Sequence, residues 1–156
     1  MRGTIDSRLD ELRLELPTAA KPVANFVPAV RSGNTLFVSG QITMWNGELR
    51  YVGKVGREIT PEEARDAARL CALNVLAQSR AFLGSLDLVT RVCLVQVFVN
   101  AVPEFTDHPA VANGASDLFV EVFGEAGKHA RMAVGSGSLP FNVAVEIAAV
   151  LEVVAS

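Results

Sequence analysis

Residues 130–146 read A-R-M-A-V-G-S-G-S-L-P-F-N-V-A-V-E, and the fold follows from this stretch and the strand that continues it to Val153. Val143, Val145, Ile147, Ala149 and Leu151 fall on one side of that strand, and Ala144, Ala148 and Val150 on the other. A strand apolar on both sides needs cover on both faces. The rest of the chain supplies only two long helical patterns, enough for one face of a sheet. The second face has to be covered by something else, most simply by other copies of the protein. The expected architecture is therefore α+β, one mixed sheet with two long helices on one face, oligomerising through the bare face.

Within the same stretch Arg131 and the nearby Lys128 are the last Lys or Arg residues after Arg91, in a region otherwise almost wholly apolar. An arginine opening a strand beside a packed core has to be satisfied. Its planar fork suits a carboxylate, gripped through two parallel hydrogen bonds. Glu146 lies fifteen residues on, inside a run of Val and Ala where an unpaired carboxylate is costly. Two readings stand. Arg131 and Glu146 pair with each other or with backbone, or Arg131 is a ligand clamp and Glu146 a polar partner for water or substrate.

Working outward, Thr90 to Asn100 is apolar on both parities and reads as a central strand. Thr60, Pro61 and Glu63 form a T-x-x-E helix start with proline at the first helical position, and Gly84 ends that helix. A second helix is expected from about Asp107 to Phe123, stopped by Gly124 and Gly127. Val27–Val30 and Thr35–Ser39 should form a hairpin turning at Gly33-Asn34, with a further turn at Trp45–Glu48 before a short strand near Glu48–Val52. Ile5, Leu9, Leu12 and Leu16 have helical spacing and predict an amphipathic helix over 5–16. Pro17, Pro22 and Pro28 impose an extended lead-in after it. The expected division is an N-terminal helix and lead-in over 1–24 and a single domain over 25–156.

Composition removes several function classes. The 156-residue chain is half hydrophobic, carries a net charge of −3, and has its Lys and Arg scattered. Without a basic stripe, nucleic-acid binding lacks its usual electrostatic driving force. The longest apolar run, Val143 to Ala155, is too short for a membrane span and is broken by Glu146 and Glu152. Cys71 and Cys93 form no CxxC motif, and the charged start at Met1-Arg2-Gly3 is no signal peptide, so two buried thiols in a reducing cytoplasm are expected.

Gly124–His129 imitates the tail of a phosphate-binding loop but has Val122 for its first glycine and His129 where Ser or Thr would bind magnesium. Gly135-Ser136-Gly137-Ser138 is not a nucleophile elbow. His108 and His129 have no helical partner and no neighbouring cysteine, so no metal site is expected. No Ser/His/Asp or Cys/His set suggests covalent catalysis. What remains is Arg131, Glu146, Ser39-Gly40-Gln41 at the end of an apolar strand, and Asn113-Gly114-Ala115-Ser116 inside a helix. Asn and Gly are poor helix formers, kept there for a ligand or for close helix–sheet packing at Gly114.

Those residues resemble a known family. L-F-V-S-G-Q-I at Leu36–Ile42, F-V-N at Phe98–Asn100, and A-R-x-A-V-x-x-x-x-L-P-x-x-V-x-V-E at Ala130–Glu146 are similar to the Rid family (YjgF/RidA, reactive intermediate deaminases), in family order from about Asn25 to Val153. The resemblance implies a chorismate mutase-like fold, a homotrimer whose sheets form an inner barrel, and ligand clefts between subunits. It also implies hydrolysis of 2-imino acids to 2-keto acids and ammonia without a cofactor. Arg131 matches the carboxylate-binding arginine, Glu146 the acidic residue near the catalytic water, Asn113 a cleft asparagine, and Gly40, beside Ser39, a backbone position there. Two positions depart from the pattern. Phe26 stands where a tyrosine is usual, and Ala133 where a cysteine is common. The N-terminal helix with its proline-rich lead-in, and the longer loop Pro103–Ala112 with N-G-A-S-D-L-F after it, resemble a distinct branch. The alternatives are a non-catalytic trimeric binder of small carboxylates or keto acids and, as some relatives are labelled, an endoribonuclease.

Overall fold

In the computed structural model, residues 3–22 and 24–155 are described; the basic start at Met1-Arg2 lies outside them. Among the described residues three α-helices, α1 (Thr4–Glu11), α2 (Pro61–Leu83) and α3 (His108–Phe123), accompany seven strands. These are β1 (Ala29–Ser32), β2 (Thr35–Gln41), β3 (Met44–Trp45), β4 (Glu48–Leu49), β5 (Val89–Asn100), β6 (Ala130–Ser136) and β7 (Val145–Val153). Five of them form one mixed sheet in the order β1-β2-β7-β5-β6, in which only the β5–β6 pairing is parallel. β5 and β7 are interior strands, as their doubly apolar patterns require. β3 and β4 make a separate hairpin, whose turn residues Asn46 and Gly47 both have positive φ. Among the described residues no helix is long and apolar enough to cross a membrane.

The sheet's two faces differ sharply. Val145, Ile147, Ala149 and Leu151 of β7, with Val95, Val97 and Val99 of β5, are buried beneath α2 and α3. Among the described residues no layer of the chain covers the opposite face. There Val30, Phe37, Met132 and Val134 are 36–50% exposed, in line with Val150, Ala148 and Phe98. The asymmetry expected from the β7 pattern is present.

α2 starts as its sequence dictates. Thr60 Oγ1 accepts from Glu63 N–H and the Glu63 carboxylate accepts from Thr60 N–H, both at 3.1 Å. Gly84 ends it in the left-handed region. The first helix is shorter than its hydrophobic spacing predicts. It stops at Glu11, because Leu14 N–H bonds Leu9 C=O and Arg13 N–H bonds Asp10 C=O, a Schellman closure with Arg13 at φ 56°. Its amino end is held from a distance, the Asp87 carboxylate accepting from Thr4 and Ile5 N–H. The strand expected over Glu48–Val52 is interrupted at Tyr51 (φ 52°), and only Val52 makes a further bridge, to Val143. Cys71 is buried, but Cys93 is exposed, because an irregularity in the β5–β7 register between Val92 and Leu94 takes it out of the strand's alternation.

Gly114 serves packing of helix on helix, where helix on sheet was expected. A Cβ there would lie 2.1 Å from the Arg65 carbonyl of α2. Salt bridges Arg65–Asp117 and Arg69–Glu121 cross the same seam. Gly114→Ala should force α2 and α3 apart and cost on the order of 1–3 kcal/mol. A thermal melt within a degree of the native protein would contradict this account of the seam.

Candidate functional site

Arg131 sits on β6 opposite Val95, so its side chain shares the helix-covered face and reaches α3. Its Nη1 donates to Asn113 Oδ1 at 2.8 Å and to Ser116 Oγ at 3.2 Å. Asn113 and Ser116 are three apart on one helix, hence on one face. The Ser116 hydroxyl lies 2.9 Å from His129 Nε2, and His129 Nδ1 lies 2.6 Å from the Gly127 carbonyl. Burial holds the His129 pKa below its ordinary value and the Arg131 charge adds to this, against the Gly127 hydrogen bond, which raises it. The ring is therefore neutral near pH 7. Among the described residues no carboxylate pairs with Arg131, so of the two readings the one in which it pairs with Glu146 or with backbone does not hold within one copy. Ala133, two residues on and opposite Val97, lies on the same face of β6.

Glu146 is elsewhere. On β7 it stands opposite Phe98, on the face away from α2 and α3. It is half-buried, and burial raises its pKa above the ordinary carboxylate range. The β2–β7 register shifts between Val38 and Gln41, and this bulge brings Gly40 against the Glu146 side chain. A Cβ at position 40 would lie 2.4 Å from Glu146 Oε2, so glycine lets that carboxylate stand where it does and a larger residue would displace it. Ser39, beside it, is tied to the Pro28 carbonyl through both N–H and Oγ. Phe26 lies two residues before Pro28 and is 49% exposed.

The residues singled out by sequence thus fall into two groups. Arg131, Asn113 and Ala133 gather at the β6 edge; Glu146, Gly40 and Ser39 gather across β2 and β7, with Phe26 on the approach to β1. Two strand spacings and three residues of rise put the Arg131 and Glu146 backbones roughly 14 Å apart, and their side chains leave opposite faces. The sequence assigns Ser116 and His129 no role beside Arg131. The available signal was their spacing, three residues after Asn113 and two before Arg131 on the same strand approach. Among the described residues no cluster of three His, Cys, Asp or Glu side chains could hold a metal ion.

Residues 6–153 match the family described as "YjgF/chorismate_mutase-like, putative endoribonuclease", and the chain belongs to this YjgF/RidA family with its chorismate mutase-like fold. It is 48% identical to protein TCP17 of Trypanosoma cruzi over 96% of this chain and 94% of that one. It is 29% identical to the 2-iminobutanoate/2-iminopropanoate deaminase of Dermatophagoides farinae, over 88% and 93% of the two chains. Among solved structures, Atu1372 of Agrobacterium tumefaciens is similar at TM-score 0.90 with 49% identity, covering 96% of this chain and 92% of that one. E. coli TdcF with bound serine is more distant, at TM-score 0.61 and 26% identity over 88% and 92%. A match over 96% of the chain takes in most of residues 1–24, so Atu1372 shares structure in the N-terminal region.

The Gly40–Glu146 contact can be tested alone. Gly40→Ala should push the carboxylate outward into solvent and bring its pKa back down toward the ordinary range, read by carbon-detected NMR titration. An unchanged Glu146 titration would show that Gly40 does not set its environment.

Proposed function

We propose that the protein is an imine deaminase-like hydrolase that converts 2-imino acids to 2-keto acids and ammonia in a cleft between copies of the chain. The observation that carries this reading is Arg131, held by Asn113 and Ser116 with no carboxylate partner among the described residues, ready for the carboxylate of a small acid. Two names support it. One relative is a 2-iminobutanoate/2-iminopropanoate deaminase, and TdcF holds serine, an amino acid with a free carboxylate.

One copy alone cannot bring Arg131 and Glu146 to one small molecule, since they leave opposite faces. A second copy can, and the exposed apolar face gives copies a reason to associate. The reading is a homotrimer with the bare faces turned inward, each cleft taking Arg131 from one copy and Glu146 with Gly40 from its neighbour. Free thiols at buried Cys71 and exposed Cys93 suit a reducing cytoplasm.

The chemistry needs a held carboxylate, a positioned water and proton transfer. Arg131 fixes the substrate carboxylate. Glu146, its pKa raised by burial, takes a proton from water as the water oxygen bonds to the imine carbon. The proton passes to the imine nitrogen, giving a carbinolamine; Glu146 then moves the hydroxyl proton to the same nitrogen, the carbon–nitrogen bond breaks as the carbon–oxygen double bond forms, and ammonia leaves with the 2-keto acid behind. A second reading rests on Phe26. It presents no hydroxyl to orient an imine, which favours a trimeric binder of small carboxylates or keto acids. RNA cleavage fits less well, because the net charge is −3 and the cations are scattered.

The test is the release of 2-ketobutyrate from freshly generated 2-iminobutanoate, beside calorimetric titration with 2-ketobutyrate. Arg131→Ala should weaken binding by about 2–4 kcal/mol, roughly 30- to 1000-fold, without unfolding the protein. Phe26→Tyr should raise the rate by ~5- to 150-fold. The rate should fall as pH drops through the raised pKa of Glu146, above where an ordinary carboxylate titrates, and Glu146→Gln should abolish that limb. If neither native protein nor Phe26→Tyr exceeds the uncatalysed rate, the binder reading replaces the enzyme. Unchanged binding in Arg131→Ala overturns both.

A further inference from the structure

The chain of contacts behind Arg131 has a fixed direction of hydrogen-bond donation. A backbone carbonyl only accepts, so the 2.6 Å contact to Gly127 puts the proton of a neutral His129 on Nδ1. Nε2 is then an acceptor, and the Ser116 hydroxyl has to donate to it. That leaves the Ser116 lone pairs free to accept from Arg131. Nη1 of an arginine has two hydrogens, and Asn113 Oδ1 and Ser116 Oγ take one each. Among the described residues Nε–H and the Nη2 donors have no partner, and they lie side by side along the guanidinium edge that meets a carboxylate through two parallel bonds.

The ring itself has little freedom. Phe119 meets it edge to face at 5.8 Å between centroids, and Phe119 is fully buried in the core. An order of contacts therefore runs from the core through His129 and Ser116 to the guanidinium. Without the Ser116 oxygen, only Asn113 would hold Nη1, and the guanidinium could rotate so that its bidentate edge no longer faces outward.

We infer that Ser116 and His129 are positioning residues for Arg131, a neutral hydroxyl–imidazole relay anchored on Gly127 that presents the Nε/Nη2 edge of the guanidinium to the substrate carboxylate. Neither touches the substrate in this arrangement; they act through Arg131. The inference rests on the reading of Arg131 as a carboxylate clamp.

The test is calorimetric titration of the full-length protein with 2-ketobutyrate, for the native chain, Arg131→Ala, Ser116→Ala, Ser116→Thr and His129→Phe, each with a thermal melt. Ser116→Ala should raise Kd by about 5- to 10-fold, the order of one neutral hydrogen bond, with little change in Tm. Ser116→Thr keeps the hydroxyl and should bind as the native protein does, a rescue that a role in helix packing alone would not give. His129→Phe keeps a flat ring beside Phe119 but no acceptor, and should match Ser116→Ala. Native affinity in Ser116→Ala, while Arg131→Ala has lost binding, overturns the relay and leaves the clamp standing. Equal loss in Ser116→Ala and Ser116→Thr overturns it as well. If the native chain and Arg131→Ala bind equally or not at all, the clamp reading fails and the relay falls with it.

Discussion

Successive side chains on a strand leave opposite faces of the sheet, and this alternation governs everything the molecule can do with Arg131 and Glu146. β7 gives its Val and Ile to α2 and α3 and turns Glu146 the other way; β6 turns Arg131 toward α3. A shift of one residue in either register would exchange those faces and bury the wrong groups. The same constraint leaves Val30, Phe37, Met132 and Val134 on a face that the chain's own helices do not cover. Assembly and chemistry are thus tied in the proposed reading: the covering of one face by neighbouring copies is also what would complete the cleft.

Much of this is legible in the residues. The doubly apolar patterns of 90–100 and 143–153 place β5 and β7 in the sheet interior, and Thr60, Pro61, Glu63 and Gly84 define α2 nearly to the residue. What the sequence conceals is local or relational. The early end of α1 depends on Arg13 adopting a left-handed conformation that arginine seldom takes, so periodicity alone overruns it. Cys93 reads as core because strand alternation is assumed, and a bulge breaks that assumption. Gly114 reads as a packing residue, but its partner, the Arg65 carbonyl, is set by how two helices cross.

The site was legible as a list of residues and not as an arrangement. Arg131, Asn113, Gly40 and Glu146 each stood out as a polar or small residue where an apolar or larger one would pack better. Their division between two faces is invisible until strand order is known, because Arg131 and Glu146 lie on strands separated by β5. Ser116 and His129 were passed over for a related reason. Neither carries a site signal as a single residue, and only the contact between helix and strand makes them a pair. Gly40 shows the opposite case, a glycine whose absent side chain is the space that Glu146 occupies.

The central claim is that Arg131 of one copy and Glu146 of another serve the same cleft, and subunit mixing tests it most directly. Arg131→Ala and Glu146→Gln proteins, each strongly impaired alone, are unfolded together at equal concentration, refolded and assayed on 2-iminobutanoate. Random assembly pairs a native Arg131 with a native Glu146 at roughly a quarter of the intersubunit clefts, so roughly a quarter of native activity should return. Activity no higher than that of the separate variants, with mixed oligomers confirmed by native mass spectrometry, would contradict a cleft built from two copies.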